Sequence, residues 1–489
     1  MRKNGILLPI FSLPGNYGIG TLGKEAYNFV DFLKKSKQSY WQILPLNPTN
    51  FGDSPYQTFS SFAGNPYFID LDILCQEELL TTEEIKQFDF GGDDNKINYE
   101  KLYKNRFSVL KIAYKKFDTN LNEYKKFCRD NKFWLNDYAL FMAIKNNNNQ
   151  SSFDLWEDGL KFRNEKAVRL AKKELEEDIC FYKVINFWFF KQWKNLKKYA
   201  NKNGIELIGD MPIYVAYDSA DVWSNSGFFQ LDDNLKPVSV AGCPPDAFSK
   251  DGQLWGNPLY DWAKMEEDDF SWWKERLKLA HQMFDVIRID HFRGFEAYYS
   301  IPFGNKNAKR GKWVKGPNIK LFESIEKELG KIPIIAEDLG FLTKEVKEML
   351  EKTGYPGMKV LQFAFDSREE SDYLPHNYTK NCVVYTGTHD NDTVLGWEET
   401  AKKEDVQFAR EYLNCKNAPL NWAMIRAAMA SVADTCILMM SDLISARSDA
   451  RINTPATLGT NWQWRIEKVC INDWLAEIIA ELTELYFRA

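Results

Sequence analysis

Histidine is scarce in this sequence, and its cysteines follow no pattern. The 489 residues include four His and eight Cys, and no two of these cysteines form a C-x-x-C pair. Zinc sites and disulfide frameworks need clustered or regularly spaced ligands of these types. The sequence therefore predicts reduced thiols, a cytoplasmic location and no dedicated metal site.

Two further features are missing: an excess of basic residues and an apolar run of membrane-spanning length. The 63 Lys and Arg are outnumbered by 69 Asp and Glu, which gives a net charge of −6. A protein that neutralises many nucleic-acid phosphates needs the opposite balance. The first 13 residues resemble a signal peptide, but Pro9 interrupts their apolar run and no A-x-A site follows, so we interpret them as a strand. We expect neither nucleic acid nor a membrane as a partner.

What recurs along the chain is a short, almost continuously apolar run, as is typical of strands covered on both faces. Helix-period segments separate many of these runs, and this alternation favours a parallel sheet. With eight such runs, we predict an α/β fold of the (β/α)₈ barrel type. The runs cover 5–10, 40–46, 205–211, 284–290, 332–338, 358–365, 382–388 and 436–443. The predicted helices cover 23–36, 186–203, 262–282, 318–329, 343–353, a long stretch across 403–433, and 473–487.

Two intervals are too long for a single strand-to-helix connection. Residues 71–185 are rich in Lys, Glu and Asn, and we predict a largely helical inserted subdomain there. Residues 212–261 are predicted to form a loop insertion that borders the active face. No linker or internal repeat marks a separate domain, so we expect a single catalytic barrel over 1–489.

Three carboxylates, Asp290, Glu337 and Asp390, each follow an apolar run directly. In a (β/α)₈ barrel the catalytic residues project from the carboxyl ends of different strands, so these three are expected to converge. Converging acids without a metal cluster favour acid/base and nucleophilic chemistry on a glycosidic bond. Arg288 lies two residues before Asp290, on the same side of the strand, and is predicted to keep that carboxylate ionised. An ordinary ion pair at a strand end would give the same pattern.

Two motifs offer alternative interpretations. Gly18, Gly20 and Gly23 form a G-x-G-x-x-G pattern, but the next strand ends in Leu46-Asn47 without the acid that would bind a ribose. A tight turn or a substrate loop is therefore favoured over a dinucleotide site. The segment 390–392 reads D-N-D and could belong to a metal-dependent glycosyltransferase, although no other carboxylate group shows ligand spacing.

Two of the four histidines, His291 and His389, stand beside candidate acids, which favours hydrogen bonding to a substrate over a purely structural role. Several aromatic residues lie in polar loops and suit the apolar faces of sugar rings better than they suit a core. These aromatic residues are Tyr56, Phe248, Trp255 and Trp462.

With these segments in view, the chain resembles the 4-α-glucanotransferases of the amylomaltase type, in glycoside hydrolase family 77 of the α-amylase clan. The resemblance extends over nearly the whole chain. It departs at 444–457, which is more polar than is usual in the family, and at Ala456, where Gly or Ser is common. The most specific matching segments are DSPYQ (53–57), PPDAFS (244–249), GQLWGNPLY (252–260), RIDHFRGF (288–295), AEDLG (336–340) and GTHDNDT (387–393).

The resemblance implies a retaining double displacement that transfers α-1,4-glucan segments to a sugar 4-hydroxyl. Asp290 would be the nucleophile, Glu337 the general acid/base and Asp390 the stabiliser of the transition state. The apolar run before Glu337 and the neighbouring acids are predicted to favour a protonated Glu337 carboxyl. The implied donor-site residues are Asp210, Arg288, His291 and His389, and the implied groove residues are Tyr56, Asp246, Phe248, Trp255 and Asn461.

The same resemblance implies no cofactor, with α-1,4-glucans and maltooligosaccharides as the partners and a monomer or homodimer as the assembly. Two rival interpretations remain. One is a plain α-glucan hydrolase that uses the same acids, and the other is a non-catalytic glucan-binding barrel.

Overall fold

A computed structural model describes residues 2–50, 52–91, 95–245, 250–340 and 342–489. The described residues form twelve strands. In chain order these are β1 Lys3–Leu7, β2 Tyr40–Gln42, β3 Glu206–Met211, β4 Ser239–Cys243, β5 Gln253–Pro258, β6 Val286–Ile289, β7 Ala297–Pro302, β8 Lys312–Lys315, β9 Ile334–Ala336, β10 Gly357–Val360, β11 Cys382–Tyr385 and β12 Thr435–Met439.

Eight of these strands form one parallel sheet in the order β10-β11-β12-β1-β2-β3-β6-β9. The two edge strands approach each other, because the Ala336 N–H at the end of β9 donates to the Pro356 carbonyl just before β10, at 2.9 Å. The sheet therefore curls into a nearly closed barrel. Each predicted apolar run overlaps one barrel strand, and the predicted (β/α)₈ fold is confirmed.

A second, antiparallel sheet has the order β5-β4-β7-β8. It was not predicted, and the description of 212–261 as a loop insertion is wrong in this respect, since β4 and β5 lie within that interval. The residues of β5 and β8 are mostly exposed or half-buried. β5 contains Gly256 and Pro258, and β8 begins and ends with Lys, so neither has the continuous apolar character by which the barrel strands were found.

The helices in the described ranges are α1 Lys24–Lys35, α2 Leu71–Gln76, α3 Thr82–Ile85, α4 Tyr99–Lys116, α5 Asn122–Asp130, α6 Lys132–Asn147, α7 Asp158–Lys161, α8 Glu165–Glu174, α9 Glu176–Lys202, α10 Ala220–Ser224, α11 Trp262–Glu267, α12 Ser271–Met283, α13 Ile319–Leu329, α14 Lys344–Thr353, α15 Val394–Thr400, α16 Lys403–Tyr412, α17 Leu420–Ala430, α18 Met440–Leu443 and α19 Asp473–Leu485. In the part of the chain that the structure describes, none of them combines the length and the apolar character that a bilayer-spanning helix needs.

Helices α2 to α9 occupy the interval 71–185 that was predicted as a helical subdomain. Helix α9, which was predicted to begin at residue 186, begins ten residues earlier and so crosses the predicted end of the subdomain at residue 185. One continuous helix thus serves both the insertion and the barrel, and the division into subdomains stays a prediction. The helix predicted over 262–282 is two helices, because Asp269 and Phe270 between them adopt positive φ angles of 50° and 55°. The stretch 403–433 likewise contains α16 and α17, with a break between them.

The three glycines of the G-x-G-x-x-G pattern are required by close packing. Gly18 has a φ of +73°, and a Cβ on Gly20 would lie 1.8 Å from the Ile10 carbonyl oxygen. A Cβ on Gly23, which precedes α1, would lie 1.9 Å from an oxygen of the Asp70 carboxylate. These contacts bring backbone and side chains of the protein itself against the glycines. They support the interpretation as a tight turn and disfavour a phosphate-binding loop.

We expect Gly20→Ala to lower the free energy of unfolding by about 2–4 kcal/mol, because the backbone of Ile10 cannot give way to a methyl group. Chemical denaturation followed by circular dichroism measures this change. Gly227→Ala is the matched control, since a Cβ there would have no atom within 4 Å and the φ angle is not positive. An equal loss in both variants would contradict the close-packing explanation.

Candidate active site

The candidate site is built on three neighbouring barrel strands. Asp210 lies within β3, Asp290 directly follows β6, and Glu337 directly follows β9. The Asp290 N–H donates to the carbonyl of Met211 at 3.0 Å, and the Glu337 N–H donates to that of Ile289 at 3.1 Å. The backbone ladder thus continues past the strand ends and fixes these residues at the carboxyl end of the barrel, where barrel enzymes carry their chemistry.

One guanidinium group connects the carboxylates of these three strands. Arg288 Nη1 donates to both oxygens of Asp210, at 2.6 and 2.7 Å, and to Asp290 Oδ1 at 3.2 Å. Its Nη2 lies 3.3 Å from Glu337 Oε2. The Arg288 side chain is 4% exposed and that of Asp210 is fully buried, so little solvent screens these interactions.

Opposing influences act on the protonation of Asp290. Burial, and next the neighbouring charge of Glu337, raise the pKa of the Asp290 carboxyl well above its usual range, and Arg288 only partly opposes this. The prediction that Arg288 keeps Asp290 ionised stays a prediction. The Asp290 side chain is 26% exposed and that of Glu337 is 15% exposed, so both carboxylates remain accessible to a substrate.

His291 follows Asp290 in the left-handed region, with a φ of 49°. This conformation directs its backbone N–H to Glu337 Oε2 at 2.6 Å. Burial, and next the charge of Arg293, lower the pKa of the His291 imidazole to about 3, so the ring is neutral near pH 7. Its edge meets the ring of Trp255 on β5, with the centroids 4.8 Å apart.

Tyr56 joins this cluster to the segment that carries Asp390. Its hydroxyl donates to Asp210 Oδ2 at 2.7 Å and lies 3.4 Å from His389 Nδ1. The Tyr56 and His389 rings are stacked 5.0 Å apart, and Trp462 lies against both. Burial raises the pKa of the Tyr56 phenol well above its usual value, so it remains a donor.

Asp390 follows β11 and is about half exposed, in contrast to the other acids. Its Oδ1 accepts a hydrogen bond from Asn453 Nδ2 at 2.6 Å and lies 3.4 Å from His389 Nε2. Asp392 has different partners: its carboxylate accepts from the Ser448 hydroxyl and from the Thr393 N–H, each at 2.8 Å. The two acids of the D-x-D pattern therefore do not face a common ligand, which disfavours the metal interpretation. Across the described ranges, no group of three His, Cys, Asp or Glu side chains is arranged to hold a metal ion.

A buried carboxylate, Asp442, fixes both ends of the segment that contains Asp390. The Thr386 hydroxyl donates to its Oδ2 at 2.6 Å, and the Val394 N–H donates to its Oδ1 at 2.8 Å. Burial raises the pKa of Asp442 to about 6. Because Thr386 and Val394 bracket the segment, Asp442 positions Asp390 without touching it.

Sequence reasoning missed the residues that support Asp390 from the next connection. Besides its bond to the carboxylate, Asn453 donates its N–H to the His389 carbonyl at 3.0 Å, and Arg451 Nη2 donates to the Asp390 carbonyl at 2.9 Å. Both residues lie within the polar stretch 444–457, which departs from the family pattern. That concentration of polar residues was the available signal.

Three predicted groove residues are not placed at the cluster of acids by the structure. The Asn461 side chain accepts from the Thr454 N–H at 3.0 Å and donates to the Thr457 carbonyl at 2.9 Å, so its amide braces its own loop. Asp246 and Phe248, which were predicted to border the groove, lie outside the described residues.

We expect Asn453→Ala to lower kcat by about 10- to 100-fold with little change in KM, because it removes a charge-assisted hydrogen bond that orients Asp390. Steady-state kinetics with maltotriose, one of the maltooligosaccharides that the resemblance implies as substrates, measures both parameters. Asn146→Ala, on the exposed surface of α6, is the control. A rise in KM at unchanged kcat would show that Asn453 binds substrate instead of positioning the acid.

The fold and the site together define a (β/α)₈-barrel enzyme whose chemistry rests on carboxylates at the strand ends. Comparison with known proteins specifies the family: the 4-alpha-glucanotransferase model of glycoside hydrolase family 77 matches residues 8–471. The 4-alpha-glucanotransferase of Clostridium butyricum is 51% identical over 483 residues, which cover 98% of this chain and 99% of that protein. The chain belongs to this family, and the predicted enzyme class, 4-alpha-glucanotransferase, is confirmed.

A more distant relative and a solved structure agree with this family assignment. The 4-alpha-glucanotransferase of Thermus thermophilus is 45% identical, with 95% of each chain covered. The amylomaltase of Streptococcus agalactiae, solved in complex with acarbose, superposes with a TM-score of 0.97 at 42% identity, over 100% of both chains. The amylomaltase of Corynebacterium glutamicum, at 17% identity and a TM-score of 0.79, supports the fold alone.

Proposed function

We propose that the enzyme transfers α-1,4-glucan segments by a retaining double displacement through a covalent intermediate on Asp290. The observation that carries the proposal is the placement of the Asp290 and Glu337 carboxylates, both of which lie within 3.3 Å of the Arg288 guanidinium at the carboxyl end of the barrel. A retaining mechanism needs two carboxyl groups in two protonation states close to one glycosidic bond.

In the first step, an oxygen of Asp290 attacks the anomeric carbon while the bond to the leaving glucan oxygen breaks. Glu337, as the general acid, donates a proton to that oxygen, and Asp290 attacks in its ionised form. In the second step, the 4-hydroxyl of an acceptor sugar attacks the same carbon, its proton returns to Glu337, and Asp290 is released. The configuration is inverted twice and so is retained.

The surrounding residues support this division of work. Arg288 lies within 3.3 Å of both carboxylates and stabilises the negative charge as it moves between them. Asp390 is anchored by Asn453 but stays about half exposed, which leaves an oxygen available for sugar hydroxyls beside His389. The neutral His291 imidazole offers a hydrogen bond rather than a charge. Trp255 lies against it and offers an apolar ring to the substrate.

The proposed substrates are maltooligosaccharides and longer α-1,4-glucans, which serve as both donor and acceptor. Similarity to an amylomaltase that binds acarbose supports this choice. Asp246, Phe248 and Asn461 remain predicted groove residues, and the cytoplasmic location and the monomer or homodimer state remain predictions.

The test is incubation of the purified enzyme with maltotriose alone. We expect glucose and a ladder of longer maltodextrins, with no nucleotide sugar or added metal, and with little net gain of reducing ends. Chromatography of the products together with a reducing-end assay measures both quantities. Net hydrolysis to glucose and maltose would identify the plain hydrolase instead. Loss of turnover after treatment with a chelator would revive the metal interpretation.

A further inference from the structure

A cavity of about 170 Å³ lies apart from the strand-end acids, between α6, α10 and α12. One part of its wall is a group of aromatic rings around Phe62. Phe133 and Trp272 meet Phe62 edge-on, at centroid distances of 5.5 and 5.9 Å, and Trp134 stacks parallel to it at 6.4 Å. Phe133 is 44% exposed, which places it at the rim and leaves the cavity open to a solute.

The polar part of the wall centres on a buried carboxylate. Asp221 in α10 is 3% exposed and lines the cavity, and its Oδ2 accepts the Ser61 N–H at 2.7 Å. Asn225 and Glu275 add further polar groups to the lining. The Trp272 indole N–H, also in the wall, is buried without a hydrogen-bond partner. The wall thus combines apolar ring faces with hydrogen-bonding groups that are held in fixed positions.

This combination suits a pyranose ring, which has apolar faces and hydroxyl groups around its edge. The volume has room for one such ring rather than for a chain. A cage of aromatic rings with a carboxylate could also attract a cation. Here, however, the Arg276 guanidinium already lies over the Trp272 ring, 5.3 Å from its centroid, and its charge acts on Asp221. The rings and the Asp221 carboxylate therefore already have a cationic partner, which favours a neutral ligand.

We propose that this cavity, lined by Phe62, Phe133, Trp134, Asp221 and Trp272, binds one glucose unit of an α-glucan chain as a second, non-catalytic contact. The choice of a glucan rests on the proposed function, whereas the preference for a neutral sugar rests on the cavity itself. Such a contact holds a long substrate near the barrel and raises its effective concentration at the acids. Maltotriose is too short to gain much from it.

The experiment compares Phe133→Ala with the wild-type enzyme and with Phe162→Ala, a control at the same 44% exposure on another part of the helical insertion. Native electrophoresis through gels that contain glycogen measures affinity from the retardation of each protein. We expect the dissociation constant for glycogen to rise about fivefold or more in Phe133→Ala alone. Turnover of maltotriose should stay at the wild-type level in both variants, and Phe133→Trp, which restores a ring at the rim, should recover the retardation.

Equal retardation of wild type, Phe133→Ala and Phe162→Ala would overturn the proposal, because glycogen would then be held elsewhere. Binding of tetramethylammonium to the wild-type enzyme that is lost in Phe133→Ala, together with equal glycogen retardation of the two, would also overturn it and identify a cation site. Retardation in the gel reports binding of glycogen and does not require turnover. The maltotriose assay therefore judges the proposed function separately, and either result can fail without the other.

Discussion

Asp290→Asn enzyme is expected to show no measurable transfer with any α-glucan donor, a loss of at least about 10³-fold, because an amide oxygen cannot form the covalent intermediate. Glu337→Gln should lose about 10²- to 10⁴-fold with maltotriose, which requires a protonated leaving group. With α-glucosyl fluoride, whose leaving group needs no proton, the Glu337→Gln enzyme should regain its first step and gain the mass of one glucosyl unit. Product chromatography and intact-protein mass spectrometry measure these outcomes.

Asp473→Asn, at a carboxylate 83% exposed at the start of α19, controls for the loss of a charge as such. Circular dichroism should show the same fold for all three variants. Peptide mapping of the adduct decides the assignment: a glucosyl unit on Asp390 rather than on Asp290 would show that the roles of these two acids are reversed.

Arg288→Met is expected to lower the free energy of unfolding by about 3–5 kcal/mol at pH 7, because it leaves the fully buried Asp210 carboxylate without its counter-ion. It should also abolish transfer, since Asp290 and Glu337 lose the cation they share. Arg288 opposes the raised pKa of the Asp290 carboxyl, so without Arg288 that pKa should rise further above its unfolded value. A carboxyl group with a raised pKa destabilises the fold at a pH where the unfolded chain ionises it, and this effect is lost at lower pH. The loss in free energy of unfolding should therefore shrink as the pH falls from 7 toward about 4.

Denaturant titrations at several pH values measure this dependence. Arg447→Met is the control: its side chain is 66% exposed in an ion pair with Glu399, and a change within about 0.5 kcal/mol at every pH is expected. A deficit for Arg288→Met that does not vary with pH would indicate lost packing rather than uncompensated charge.

The barrel could be predicted because strands buried on both faces must be apolar at nearly every position, and this pattern is visible in one sequence. The second sheet could not be predicted in the same way. In the register of its strands, Leu254 on β5, Tyr299 on β7 and Trp313 on β8 align in one row across Gly242 on β4. These neighbours come from three separate stretches of the chain, so no local pattern joins them.

The positions of the acids relative to the strands were visible in the sequence, but their electrostatics were not. The sequence predicts an interaction of Arg288 with Asp290, yet the shortest hydrogen bonds of Arg288 go to Asp210 on the adjacent strand. The raised pKa of the Asp290 carboxyl depends on desolvation, which sequence spacing does not report. The anchor of Asp390, Asn453, lies 63 residues further along the chain.

The left-handed backbone at His291 couples the conformation of this turn to the protonation of Glu337. A non-glycine residue in this region costs roughly 1–2 kcal/mol, and the hydrogen bond from its N–H to an ionised Glu337 is of the kind that can offset that cost. A protonated Glu337 is a poorer acceptor, so the turn is held less firmly whenever the acid carries its proton. Because His291 adjoins Asp290, the backbone next to the nucleophile is most rigid just after Glu337 has released its proton, when the glycosyl-enzyme must survive until an acceptor arrives.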